Sequence, residues 1–94
     1  TVNGQRANRL PNTLSVNFPG VSGSELLRAA PEVCASTGSA CHSGTTRLSA
    51  TLAAIGLDET VARGTVRLSV GWFTDEDEVD RAATQLIDAW ERLQ

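Results

Sequence analysis

Residues 65–79, TVRLSVGWFTDEDEV, decide how this chain is read, because the period changes in the middle of them. Val66, Leu68 and Val70 alternate with Arg67 and Ser69. A period of two is the pattern of a strand with one face in the core. Gly71 ends the alternation. Thr74 and Asp77 open a helix whose first turn is acidic (Asp75, Glu76, Asp77, Glu78), which suits the positive end of the helix dipole. Val79, Ala83, Leu86, Trp90 and Leu93 then recur at helical spacing, with Ala82 and Ile87 widening the stripe. The spacing predicts a strand over 65–70 and the longest helix over 75–92.

The same reasoning works outward. Leu14, Val16 and Phe18 alternate with Thr13, Ser15 and Asn17, predicting a second half-buried strand that Pro19-Gly20 closes. Ser22 and Glu25 form a capping box ahead of Leu26-Leu27-Arg28-Ala29-Ala30, a short helix that stops before Pro31. Val33-Cys34-Ala35-Ser36 reads as a short buried strand. Residues 37–46 are small, polar and punctuated by glycine, and read as a loop. Leu48 to Ile55 reads as a helix with Gly56 as its C-cap. Asp58 caps another, Glu59 to Arg63, closed by Gly64. Residues 1–12 read as a linker leading into the domain. The order β-α-β-loop-α-α-β-α predicts an α+β fold, a small two-layer domain with a three-stranded sheet and helices packed on one face.

Composition sets the outer bounds. A chain of 94 residues makes one small domain. It buries roughly 60% of the surface its unfolded form exposes. Hydrophobic content of 40% with 20% charged residues of mixed sign is a folding composition, not that of a disordered tail. A net charge of −3 disfavours nucleic acid and anionic membranes as partners. No apolar run approaches the length of a membrane span, and Thr1 to Asn8 is too polar for a signal peptide. Two cysteines and no export signal read as an intracellular chain with reduced thiols. All eight basic residues are arginine. With no lysine, the chain cannot itself form a Schiff base.

Two residues stand out as chemistry. Cys41 lies among Ser39, Ala40, Ser43 and Gly44, where nothing bulky shields a thiol; a nucleophilic cysteine needs that access. The alternative is an incidental loop thiol. Cys34, among apolar neighbours, reads as a small buried hydrophobe. Cys34, Cys41 and His42 match no zinc spacing and lack a fourth ligand, so no metal is expected, and His42 reads as a solvated histidine. Arg67 projects from the polar face of its strand and offers a planar fork for a carboxylate. Its alternative is an ion pair with the acidic run at 75–78. Trp72-Phe73 belongs either to the core or to an interface.

These residues also carry a family resemblance. Ser36-Thr37-Gly38-Ser39-Ala40-Cys41-His42-Ser43 resembles the active-site cysteine loop of the cysteine desulfurases, pyridoxal-phosphate enzymes of the class V aminotransferase group with the selenocysteine lyases as close kin. Arg9-Leu10-Pro11-Asn12-Thr13-Leu14 resembles the segment that opens their small C-terminal domain. Thr65 to Gly71 followed by Phe73-Thr74 resembles their R-x-S-x-G-x-x-T segment, and Glu78-Val79-Asp80 continues into the last helix as theirs does. The resemblance implies the small domain of a fold-type I enzyme, with the lysine-bearing domain that holds pyridoxal phosphate absent from this chain.

It implies that Cys41 attacks the sulfur of the cofactor-bound cysteine and becomes a persulfide, leaving alanine. It implies that Arg67 binds the substrate α-carboxylate. It gives no cofactor-binding residue to this chain and no catalytic role to His42. A cytoplasmic, homodimeric parent serving iron–sulfur assembly through a sulfur-acceptor protein follows by the same resemblance. Ala40-Cys41-His42-Ser43 is similar to some selenocysteine lyases, so L-cysteine and selenocysteine both stand as substrates. Trp72 stands where many relatives have a basic residue. Two further readings compete: a stand-alone persulfide carrier or docking module, and a thiol–disulfide switch between Cys34 and Cys41.

Overall fold

A computed structural model describes the backbone at residues 1–37, 39–42 and 45–94, and the side chains at 1–37 and 49–94. The chain runs through β1 (Thr13–Asn17), α1 (Gly23–Ala29), β2 (Ser36–Thr37), β3 (Ser39–His42), β4 (Thr45–Leu48), α2 (Ala50–Ala54), α3 (Glu59–Ala62), β5 (Thr65–Ser69) and α4 (Glu76–Leu93). The last strand inserts between the first two, giving an antiparallel sheet in the order β1-β5-β2. Leu14 pairs with Leu68, Val16 with Val66, Ser15 with Arg67 and Asn17 with Thr65. On the other side of β5, Ser36 pairs with Arg67 and Thr37 with Val66.

Directly opposed residues share a face, so this register sorts the sheet cleanly. Leu14, Val16, Val66 and Leu68 form an apolar face. Thr13, Ser15, Asn17, Ser36, Thr65, Arg67 and Ser69 form a polar one. Helices α1 and α4 cover the apolar face. The core is Leu26 and Ala30 at α1, Val66 of β5, and Leu86 and Ala89 of α4. Leu26 and Val66 are fully buried, and each such side chain contributes roughly 1.5–3 kcal/mol. Ser22 and Glu25 form the anticipated capping box on α1. Asp75 caps α4 by accepting from the Glu78 N–H at 2.8 Å. Trp90 donates its indole N–H to the Pro19 carbonyl at 2.8 Å and tilts against Phe18, fastening the end of α4 to the exit from β1.

Four expectations are corrected. The described part of the expected loop is paired: β3 and β4 form an antiparallel ribbon, with Cys41 opposite Thr46. Backbone hydrogen bonds define a two-stranded ribbon, and they leave no apolar alternation to read. Helix α2 begins at Ala50, because Ser49 caps it by accepting from the Thr51 N–H, which leaves Leu48 in β4. Its end is as anticipated: Gly56 has φ +83 and bonds to Ala53, while Leu57 bonds back to Leu52, a Schellman closure. Cys34 is exposed and lies outside any strand. Val33 and Ala35 on either side pack against the core, so the intervening thiol points away from it. Finally, the α4 stripe is narrower than its sequence pattern. Val79, Ala83, Ile87 and Leu93 are exposed, and the buried line is Leu86 and Ala89. Helix α1 is only 7 residues long, against 18 for α4, and the first turns of α4 are exposed.

Candidate active site

The polar face of the sheet is where candidate chemistry collects. Its upper part is a hydrogen-bonded set. The Thr65 hydroxyl donates to Asn17 Oδ1 at 2.5 Å, and Asn17 Nδ2 donates to Asn3 Oδ1 at 2.8 Å. Asn3 Nδ2 in turn donates to the Ser15 hydroxyl at 2.9 Å. Thr65 and Asn17 are buried, and buried polar groups are tolerated when partnered in this way. The set holds residues 1–3 against the outer edge of β1, where Val2 bridges Val16.

Below it the face opens into a cleft of about 570 Å3. Ser15, Thr65 and Arg67 line the sheet side; Leu52, Ile55 and Leu57 at and after α2 line the opposite wall. Arg67 is the sole cation on its described lining. It stands on the middle strand, exposed, between Ser15 on β1 and Ser36 on β2. Its Nη2 donates to the Ser36 hydroxyl at 3.5 Å. Among the described residues no carboxylate pairs with it: the ion pair found there is Arg63 with Glu59, and Asp75 is occupied in capping α4. Among the described residues the Ser36 hydroxyl is the one side-chain partner of the guanidinium, which also lines the cleft; five N–H donors in a planar fork suit a carboxylate.

Along the chain, β2, which pairs with the strand of Arg67, is followed by β3, which carries Cys41. The Cys41 backbone lies in β3; its side chain, and that of His42, lie outside the described residues. Among the described residues no group of three His, Cys, Asp or Glu side chains is arranged to hold a metal. Trp72 and Phe73 are 92% and 91% exposed at the turn between β5 and α4, which removes them from the core. In that turn the Gly71 N–H donates to the Thr74 hydroxyl at 2.9 Å.

Reasoning from sequence had found Arg67 but not its neighbours Ser36, Ser15 and Asn17. The alternation in β1 already put Ser15 and Asn17 on a polar face. What it lacked was the register that makes that face continuous with Arg67.

No family model matches the chain. Individual proteins do. Over 93 residues it is 39% identical to the cysteine desulfurase IscS of Anaeromyxobacter sp. (strain Fw109-5) and 42% identical to that of Vibrio campbellii (strain ATCC BAA-1116). Each match covers 99% of this chain and 23% of the relative, so the chain spans under a quarter of the length of the curated relatives it matches. A solved NifS-like protein superimposes with a TM-score of 0.70 at 32% identity, over 99% of this chain and 22% of that one. The NifS-like protein from Rickettsia africae ESF-5 shares the fold, with a TM-score of 0.71 at 22% identity and the same coverage. The sequence similarity along 99% of the chain and the shared fold make this chain a small domain of the cysteine desulfurase family.

Proposed function

We propose that this domain works within a longer polypeptide as the part of a cysteine desulfurase that removes and carries the sulfur. The observation that carries the reading is the similarity to cysteine desulfurases along 99% of the chain, with Cys41 and Arg67 in the segments that resemble theirs. In this reading Arg67 takes the α-carboxylate of L-cysteine. The cleft it lines, and the absence among the described residues of a carboxylate paired with it, support that role. The Cys41 thiolate attacks the substrate sulfur. An S–S bond forms as the substrate's C–S bond breaks, and the electron pair, followed by a proton, ends on the carbon side as alanine. The new persulfide passes to an acceptor protein.

Pyridoxal phosphate is the cofactor of such a parent, and this chain's residues do not fit it as a holder. The sequence has no lysine, and a covalently held cofactor of this class needs one. We assign the cofactor to the remainder of a cytoplasmic, homodimeric parent, and expect the 94-residue chain alone to bind none and turn nothing over.

The test is alanine formation from L-cysteine by the full-length protein. Cys41→Ser should abolish it while leaving substrate binding intact, and Arg67→Ala should raise KM for L-cysteine at least tenfold (about the size expected for losing a charge-assisted pair). Undiminished turnover in Cys41→Ser would remove the assignment.

A further inference from the structure

We propose that Ser36 is a positioning residue for Arg67, its hydroxyl fixing the guanidinium so that the remaining donors present one edge to the cleft. The inference rests on the reading above, in which Arg67 receives the substrate carboxylate.

Three observations carry it. The first is register: Ser36 and Arg67 are directly opposed across β2 and β5, so their side chains leave the same face side by side. The second is the bond itself, from Arg67 Nη2 to the Ser36 hydroxyl. A guanidinium has five N–H donors, so one contact to a neutral acceptor, 3.5 Å long here, restrains it and leaves an edge for a bidentate carboxylate. A carboxylate in Ser36's place would compete with the substrate; a hydroxyl does not.

The third is the lack of a substitute among the described residues. Ser15, the opposed residue on β1, has its hydroxyl engaged by Asn3 Nδ2. Among the described residues no ion pair restrains Arg67. An exposed arginine on a flexible stem samples many rotamers, and each restraint that matches the bound geometry lowers the cost of binding. Ser36 also lies on the strand that leads into β3. The contact therefore ties the carboxylate receptor to the segment bearing Cys41.

The test has two arms. In the 94-residue chain, 15N relaxation at Arg67 Nε reads the order of the guanidinium directly. Ser36→Ala should lower that order, and Ser36→Thr, which keeps the hydroxyl, should restore it. In the full-length protein, Ser36→Ala should raise KM for L-cysteine about three- to tenfold. It should leave kcat within about twofold, and Ser36→Thr should recover KM. Cysteamine, which lacks the carboxylate, should bind both proteins alike.

Unchanged Arg67 order in Ser36→Ala would overturn the proposal. So would an unchanged KM in a protein where Arg67→Ala does raise it. If Arg67→Ala leaves KM unaltered, the carboxylate reading itself fails, and the purpose assigned to Ser36 fails with it. The relaxation arm would still report separately whether the hydroxyl holds the guanidinium. Ser36 is exposed, so its truncation should leave the thermal midpoint within a few degrees of the parent.

Discussion

At the scale of single residues, position in the register decides what each side chain does. Arg67 was legible from the alternation in 65–70 alone, because a charged residue between buried neighbours of one strand must face the other way. Ser36 was not, since a serine at the end of the short strand read over 33–36 carries no signal until its partner strand is known. Cys34 shows the opposite failure. Its apolar neighbours Val33 and Ala35 suggested burial, yet in an extended segment alternate residues face opposite ways, and the thiol is exposed. Iodoacetamide should therefore modify Cys34 in the native chain nearly as fast as in urea. Protection that persists until the chain unfolds would contradict its placement.

Gly64 is the second residue-scale case. Its carbonyl accepts from the Phe18 N–H at 2.8 Å, and a Cβ there would collide with the Phe18 carbonyl oxygen. Backbone cannot yield as a flexible side chain can. Gly64→Ala should cost about 1–3 kcal/mol in urea unfolding, comparable to overpacking elsewhere. Ala at Gly4, which has open space around it but φ +69, should cost less than that.

At the scale of elements, strands and helices with a distinct apolar face were readable, and elements held by backbone pairing alone were not. β1, β5 and α4 came from periodicity, α1 from its Ser22–Glu25 capping box and the stop before Pro31, and the cap of α3 from Asp58. The β3–β4 ribbon carries no such alternation and read as a loop. The length of the α4 stripe was overestimated for a related reason: a pattern of apolar residues marks what can pack, and the short partner α1 decides how much does. The two halves of the stripe should therefore respond differently. Leu86→Ala should cost about 2–5 kcal/mol in chemical denaturation. Ile87→Ser, one position along and half exposed, should stay within about 0.5–1 kcal/mol. Equal losses at both positions would mean that α4 is covered on a second side.

At the scale of the whole molecule, inserting the last strand between the first two brings β1, β2 and the cleft residues onto one surface. Residues far apart in the chain, Ser15, Ser36 and Arg67, become a row across three strands. That convergence had to wait for the topology, because periodicity describes each strand without saying which one lies beside it. The row sets the Arg67 guanidinium between two serines on the middle of the polar face. Under the proposed function, the row would receive the substrate carboxylate and sulfur would arrive on this domain within the longer polypeptide.

The most direct measurement is peptide mapping by mass spectrometry of the full-length protein after a single turnover with L-cysteine. The account predicts one added sulfur atom on the peptide containing Cys41, removable by reductant, and none on the peptide containing Cys34. Sulfur found on Cys34, or on neither cysteine while alanine is formed, would contradict it.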